Sequence, residues 1–305
     1  MKIVFLLHSY YKYSFGGAEY QVYLIAQYLL RKGYEIHYVF LGENRSYPKI
    51  DNGIKLHPVY KKRPLIYKLF GKSYLVFGNE INSILKNIDP DFIYHRNFSS
   101  IFLSAIKYSG RIKCKTILHI AHKCDVNKNC VNFGSNIIRN IYNRIVKNKC
   151  LKKVDYIIAQ AKYQDELLRY NYNRKADLIM KNMHPYPNGK LVKSEQLKVL
   201  WISNLKEWKQ PEKFIQLAKE SEYTNAEFIM IGRDPKNEWS EGFKKRISEI
   251  KNLSYLGELP IKRMNEFLAE SHILVNTSLY EGFPNTFIQA WMRKVPVVSL
   301  NVDPD

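Results

Sequence analysis

The sequence predicts an α/β protein made of two doubly wound, Rossmann-like domains, each with a parallel sheet covered by helices. Three observations lead to this prediction. The chain has 305 residues, enough for two domains with separate cores. Short apolar runs alternate with helix-like segments along the whole chain, which is typical of parallel sheets. A turn-rich segment at residues 183–189 interrupts this alternation.

The first half begins with an apolar strand at residues 3–7, followed by a helix whose apolar residues recur at helical spacing until Gly33. Further strands are predicted at 36–41, 91–95, 116–120 and 155–159. Two basic segments, 65–84 and 139–153, show helical periodicity. Each is compatible with a solvated helix face.

The alternation restarts after residue 187, so we place the domain boundary there and predict domains 1–187 and 188–305. Strands in the second domain are predicted at 199–203, 228–232, 253–257, 273–277 and 296–300. We expect the two domains to face a cleft, because ligands of such sheets bind beyond the carboxyl ends of the strands.

Charge differs sharply between the two halves. Residues 1–187 contain 31 lysines and arginines against 12 acidic residues, a net of +19, whereas residues 188–305 have a net of +1. A basic half implies an anionic partner: nucleic acid, an anionic membrane surface or a phosphorylated substrate. Nucleic acid is disfavoured because the sequence contains no motif of a nucleic-acid-binding module.

Composition limits the compartment and the metal chemistry. Apolar runs are too short for a membrane span or a signal peptide, and four cysteines do not make a disulfide scaffold. We therefore expect a cytoplasmic protein. Two Asp-Pro-Asp sequences, 89–91 and 303–305, are better explained as turns and a chain end than as metal sites. A zinc site remains conceivable, although its Cys-x5-Cys interval is unusual. Its ligands would be His119, His122, Cys124 and Cys130.

Two loops could bind a ligand. Gly16 and Gly17 lie between the first strand and the first helix, where a backbone can approach an anion, although an ordinary glycine turn is the better explanation of this loop taken alone. The segment from Glu281 to Asn285 lies between a predicted strand and a helix, where a carboxylate could accept hydrogen bonds from sugar hydroxyls. A plain strand–loop–helix junction is the alternative interpretation.

Together these loops carry a resemblance. Gly16-Gly17-Ala18-Glu19, and Glu281-Gly282-Phe283-Pro284-Asn285 with Pro296-Val297-Val298 behind it, resemble the retaining nucleotide-sugar glycosyltransferases of family 4, which have the GT-B fold. The resemblance extends over nearly the whole chain. It implies a basic acceptor domain followed by a donor domain, and a reaction that needs no metal ion or other cofactor.

The resemblance also implies a role for each matching residue. Gly16 and Gly17 would approach the donor diphosphate, Glu281 would bind hydroxyls of the transferred sugar, and Lys209 would neutralise the leaving phosphates. The backbone of four further residues would support the diphosphate and the sugar: Gly282, Phe283, Pro284 and Asn285.

Some positions depart from the family pattern. Gln289 stands where the family usually has a ribose-binding glutamate, and Asn204 where it has an arginine, for which Arg233 could substitute. A substrate-contacting histidine is expected near residue 120. His122 is preferred over His119 because it lies further beyond its strand, although a histidine bonded only to backbone is an equally good interpretation.

The resulting prediction is a retaining glycosyltransferase of bacterial surface polysaccharide or lipopolysaccharide synthesis. Its partners would be a nucleotide sugar, a lipid-linked or saccharide acceptor, and the anionic inner face of the cell membrane. A degenerate protein that only binds nucleotide sugar or lipid, and a sugar-nucleotide epimerase, remain alternatives. The resemblance further implies more chain after residue 305, so we expect a truncated second domain and impaired transfer.

Overall fold

A computed structural model describes residues 1–13, 16–43, 45–60, 64–110, 113–128, 136–187 and 191–303. The chain divides into two compact units, residues 1–182 and 183–305. This division lies five residues before the boundary that the sequence suggested. Cys130 of the conceivable zinc site, and the last two residues of the second Asp-Pro-Asp sequence, lie outside the described residues.

The first unit contains an eight-stranded sheet. Its strands are β1 (Lys2–Leu7), β2 (Glu35–Leu41), β3 (Ile50–Asp51), β4 (Ile54–Val59), β5 (Phe92–Arg96), β6 (Lys115–His119), β7 (Tyr156–Ala159) and β8 (Leu178–Ile179). They are ordered β3-β4-β2-β1-β5-β6-β7-β8, and all pairs are parallel except β3 with β4. The five predicted strands are confirmed. Strand β4 was missed because it contains Pro58, which cannot donate a ladder hydrogen bond.

Seven α-helices accompany this sheet in the described part of the first unit. They are α1 (Gly17–Arg31), α2 (Pro64–Phe70), α3 (Tyr74–Ile88), α4 (Leu103–Ser109), α5 (Lys123–Val126), α6 (Ile137–Lys153) and α7 (Lys162–Tyr172). The periodic segment 65–84 forms two helices rather than one, because Gly71 between them has a φ of 60°. A left-handed residue of this kind ends a helix, and glycine adopts this conformation at the least cost.

The second unit has a wholly parallel five-stranded sheet, as predicted. Its strands are β9 (Leu197–Ile202), β10 (Ala226–Ile231), β11 (Leu253–Tyr255), β12 (Ile273–Asn276) and β13 (Val297–Ser299). Its helices are α8 (Pro211–Glu220), α9 (Glu238–Ser248), α10 (Ile261–Glu270) and α11 (Asn285–Trp291). The strand order is β11-β10-β9-β12-β13.

Each sheet is buried on both faces. In β1, Val4 and Leu6 join one apolar cluster, while Phe5 and Leu7 join another. Adjacent strand residues point to opposite faces, so the two clusters lie on opposite sides of the sheet. Such strands read as continuous apolar runs, which is why the sequence located them well. Within the described residues, no helix has both the length and the apolar character needed to cross a bilayer.

The strand orders create one switch point in each sheet. Strand β1 pairs with β2 on one side and β5 on the other, and β9 pairs with β10 on one side and β12 on the other. The chain therefore leaves the first strand of each sheet in one direction and later returns on its other side. Loops diverge at such points, and ligands bind there.

Gly232, directly after β10, should tolerate a side chain poorly. A Cβ built on it would overlap the backbone carbonyl of Ser203, which follows β9. Gly232→Ala is expected to lower the free energy of unfolding by about 2 kcal/mol, measured by urea denaturation.

Gly242 provides a matched control for this substitution. It lies inside α9, and a Cβ there meets no atom within 4 Å. Gly242→Ala should be stabilising by up to about 1 kcal/mol, because alanine favours the helix. Equal effects of the two substitutions would contradict the close approach of the backbones after β9 and β10.

Candidate functional site

Lys209 and Glu281 meet at the switch point of the second sheet. Lys209 lies in the loop after β9, Glu281 lies in the loop after β12, and Lys209 Nζ forms an ion pair with Glu281 Oε1. Ser278 Oγ donates a hydrogen bond of 2.9 Å to the same oxygen. The side chains of Lys209 and Glu281 are only 13% and 19% exposed. The structure thus brings together two residues that the sequence singled out separately.

A chain of hydrogen bonds fixes the two loops. Trp201 Nε1 in β9 donates to Thr277 Oγ1 at 2.9 Å, and Thr277 Oγ1 donates to the backbone carbonyl of Lys209 at 2.6 Å. The Leu279 amide donates to the carbonyl of Trp208 at 2.9 Å. Lys209 and Glu281 are therefore held on rigid supports at the ends of two buried strands.

Two further cations lie near this ion pair. Burial lowers the pKa of Lys206, and the positive charges of Lys209 and Arg233 lower it further. Asn204 Oδ1 accepts a hydrogen bond of 3.3 Å from the Arg233 amide, so the residue proposed as a substitute arginine lies beside the position it would replace. Lys206, Lys209 and Arg233 outnumber the single Glu281 carboxylate, and this excess of positive charge suits a polyanionic ligand.

Two buried polar atoms beside Lys209 have no hydrogen-bond partner among the described residues. They are Trp208 Nε1 and Gln210 Oε1. Buried polar atoms are rarely left unsatisfied in native proteins, so a bound ligand or water is expected to reach them.

The loop after Glu281 is well packed. Gly282, Phe283 and Pro284 are buried, and Asn285 begins α11. The Asn285 side chain forms a hydrogen bond with His184, whose pKa is lowered to about 4 by burial. Because His184 is then neutral near pH 7, it adds no charge to the loop.

Gln289 occupies a different environment from Glu281. Its side chain is buried, and its Nε2 donates to Asn265 Oδ1 at 3.2 Å. Its backbone carbonyl accepts a hydrogen bond of 2.9 Å from Arg293. To bind a ribose hydroxyl, the Gln289 amide would have to exchange its contact with Asn265 for the ligand.

In the first unit, Gly16 precedes α1 and Gly17 begins it. The Glu19 carboxylate folds back onto Gly16, so that a Cβ there would displace it. Ser9 Oγ donates to Glu19 Oε1 at 2.9 Å. An oxyanion thus already lies at the N-terminus of α1, where the helix dipole favours negative charge.

His122 lies beyond β6 and caps α5. Its Nδ1 accepts a hydrogen bond of 3.1 Å from the Cys124 amide, while Asp125 accepts one of 3.0 Å from the His122 amide. In a neutral imidazole the proton then resides on Nε2, which can donate to a substrate oxygen. His119, by contrast, is buried between Tyr94 and Arg96, and its pKa is well below 6.5 because of this burial.

Two family matches cover most of the chain. Residues 15–180 match the family described as Glycosyltransferase Family 4, and residues 196–305 match that described as Glycosyl transferases group 1. The first match alone covers more than half of the chain.

The chain belongs to glycosyltransferase family 4. Its two α/β units with parallel sheets are those of the GT-B fold, as the sequence predicted, and the chain is a transferase.

Individual relatives agree with this assignment. The "Uncharacterized 42.6 kDa protein in cps region" of Klebsiella pneumoniae is 22% identical over 90% of this chain and 78% of its own length. HepE of Anabaena, solved with UDP and glucose, superposes with a TM-score of 0.73 at 16% identity, covering 98% of this chain and 80% of its own. The lipopolysaccharide outer core galactosyltransferase WaaB superposes with a TM-score of 0.69 at 17% identity, covering 100% and 82%. At such identities the structural likeness concerns the fold.

Several residues of this candidate site escaped sequence reasoning. Lys206 stands only three positions before Lys209, and a count of cations in that loop would have found it. Ser278 is the second residue after β12, and its position just beyond a strand end was a usable signal. His184 and Asn265 carry no such signal, because their contacts with Asn285 and Gln289 arise from tertiary packing.

The Lys209–Glu281 pair should be energetically coupled. Either Lys209→Ala or Glu281→Ala leaves a largely buried charge without its partner, which we expect to cost about 1–3 kcal/mol of stability. The double variant should cost less than the sum of the two single variants, by at least about 1 kcal/mol, in a urea-denaturation cycle. Strict additivity would show that the two side chains do not interact.

Proposed function

We propose that this enzyme transfers a sugar from a nucleoside diphosphate sugar to an acceptor, with retention of configuration at the anomeric carbon. The second unit binds the donor and the first unit binds the acceptor. The observation that carries the proposal is the Lys209–Glu281 ion pair at a sheet switch point, with the positive charges of Lys206 and Arg233 close by. A diphosphate needs cations, and a sugar needs hydrogen-bond acceptors.

The cations would act when the bond between the sugar and the diphosphate of the donor breaks. Cleavage of the bond between the anomeric carbon and the phosphate oxygen leaves a nucleoside diphosphate with additional negative charge. Lys209, already fixed by its loop, stabilises that charge at little reorganisation cost. Because three side chains supply positive charge here, we propose that no metal ion is required and that transfer persists in EDTA.

Glu281 would bind the transferred sugar. When the diphosphate replaces Glu281 as the partner of Lys209, the Glu281 carboxylate becomes available to accept hydrogen bonds from sugar hydroxyls. These bonds strengthen as the sugar becomes cationic in the transition state. For retention, the acceptor oxygen attacks from the face that the diphosphate leaves, and the acceptor proton passes to a phosphate oxygen. His122 Nε2 would donate a hydrogen bond to the substrate.

The acceptor would belong to a bacterial surface polysaccharide or lipopolysaccharide. Two relatives support this proposal by their names, one encoded in a cps region and one an outer core galactosyltransferase. The excess of 19 positive charges over residues 1–187 supports an acceptor that is lipid-linked or a charged saccharide. We propose that the enzyme works in the cytoplasm, at the inner face of the membrane.

Glu281→Ala is expected to reduce sugar transfer by at least about 100-fold, because it removes hydrogen bonds that matter most in the transition state. Transfer would be measured with the best donor from a panel of nucleotide sugars. Glu222→Ala, a substitution on the exposed surface of the same unit, is the matched control and should leave turnover unchanged.

Two readouts accompany the turnover measurement. Nucleotide-induced thermal stabilisation should survive in Glu281→Ala, which distinguishes a lost transition-state contact from an unfolded protein. The anomeric configuration of the product, read by NMR, should equal that of the donor. An inverted product, or full turnover in Glu281→Ala, would contradict the proposed mechanism.

A further inference from the structure

A cationic cavity lies at the switch point of the first sheet. It has a volume of about 670 Å³, within the range of ligand pockets, and it opens beyond the carboxyl ends of β1, β5 and β6. Five of its lining residues are basic: Lys72, Lys128, Arg139, Arg144 and Lys147. The single acidic lining residue, Asp125, already accepts hydrogen bonds from three backbone amides. The cavity therefore carries a large excess of positive charge.

Only two of the five basic side chains are committed to the protein backbone. Lys147 donates to the carbonyls of Cys124 and Asn127, and Arg139 donates to those of Lys68 and Leu69. The other three, Lys72, Lys128 and Arg144, are exposed, and no carboxylate of the described chain lies within ion-pair distance of them. Lys72 and Arg144 can turn toward an anion without breaking an ion pair, whereas Lys128 would leave the ring of Tyr172, whose centroid lies 5.5 Å from its Nζ.

A row of exposed apolar side chains borders this cavity on α6. Its four isoleucines, each at least half exposed, are Ile137, Ile138, Ile141 and Ile145. At 3.6 residues per turn they span about 100° of the helix. Arg144 and Lys149 flank the row, and Ile141 and Arg144 also line the cavity.

Helix α2 extends the same apolar surface. It is attached to α6 by the hydrogen bonds of Arg139 and by the edge-to-face contact of Phe70 with Tyr142. Leu65, Ile66 and Leu69 on α2 are exposed, and Leu65 is 80% exposed. We call the exposed apolar residues of α2 and α6, together with their basic flanks, the α2–α6 face.

We propose that the α2–α6 face lies on an anionic membrane and that the adjoining cavity takes the phosphate-bearing headgroup of a lipid acceptor. Apolar side chains flanked by lysine and arginine are the pattern of helices that rest in the membrane interface. The shared residues Ile141 and Arg144 place the cavity mouth where a headgroup would be. This inference rests on the proposed assignment of the first unit to the acceptor.

A second copy of this chain fits the same face less well. Self-association through the α2–α6 face would bring two sets of lysines and arginines together, and like charges at an interface are repulsive. An anionic bilayer instead complements both the charge and the apolar row, with each basic residue near the surface contributing about 1 kcal/mol.

Two triple variants separate the cavity from the apolar row, and each has a control of the same size. The cation variant replaces Lys72, Lys128 and Arg144 by Gln, with Lys213, Lys219 and Lys251 of the second unit replaced by Gln as its control. The apolar variant replaces Ile137, Ile141 and Ile145 by Ser, with exposed Leu178, Val192 and Tyr223 replaced by Ser as its control.

The first measurement is flotation with phosphatidylcholine vesicles that contain or lack phosphatidic acid. The second is thermal stabilisation by inorganic pyrophosphate in the presence of saturating nucleotide sugar, so that the cations around Lys209 are already occupied. The wild-type chain and both controls should float only with phosphatidic acid, and pyrophosphate should stabilise them. The cation variant should lose both responses, with vesicle affinity falling about 100-fold for three basic residues. The apolar variant should lose flotation and keep the response to pyrophosphate.

Stabilisation by pyrophosphate without vesicle binding would show a site for free phosphate and overturn the membrane role. Equal flotation with neutral and anionic vesicles, or unchanged flotation of either triple variant, would also overturn the proposal. Thermal stabilisation by nucleotide sugar is measured in parallel, because it tests the donor site of the second unit independently of the membrane-binding face of the first. A wild-type chain that binds nucleotide but no vesicles contradicts only this inference, whereas one that binds vesicles but no nucleotide contradicts only the donor site.

Discussion

Parallel pairing around the first strand of each sheet is the constraint on which both candidate sites depend. Because β9 has β10 on one side and β12 on the other, the loops that follow these strands diverge and leave a gap between them. Lys209 follows β9, Glu281 follows β12, and their side chains form an ion pair there. The same arrangement of β1, β2 and β5 opens the cationic cavity of the first unit. One topological rule thus locates both candidate ligand sites.

Both units use a carboxylate to balance positive potential. In the second unit Glu281 pairs with Lys209, and in the first unit Glu19 folds over Gly16 at the N-terminus of α1. Phosphate oxygens have the same charge and hydrogen-bonding character as these carboxylates. A phosphorylated substrate would therefore exchange one oxyanion for another at Lys209 and at the N-terminus of α1, and neither is left without a negative partner before the substrate arrives.

The sequence predicted the fold more completely than the site, for physical reasons. Doubly buried strands such as β1 and β9 are apolar runs that local composition reveals, whereas Pro58 conceals β4. The break between α2 and α3 depends on the left-handed conformation of Gly71, which the apolar periodicity does not show. Lys209 and Glu281 were singled out by resemblance and by their loops, but their contact joins residues 72 positions apart. The Gln289–Asn265 hydrogen bond and the cavity under α6 likewise depend on tertiary packing, which no local pattern encodes.

A crystal structure with a bound nucleoside diphosphate sugar tests the central claim most directly, because it locates the diphosphate relative to the Lys209–Glu281 pair. The account predicts diphosphate oxygens within hydrogen-bond distance of Lys209 Nζ, with Glu281 turned toward the sugar hydroxyls. Trp208 Nε1 and Gln210 Oε1 should then have partners in the ligand or its waters. A nucleotide bound elsewhere, or bound here while the Lys209–Glu281 pair stays intact, would contradict it.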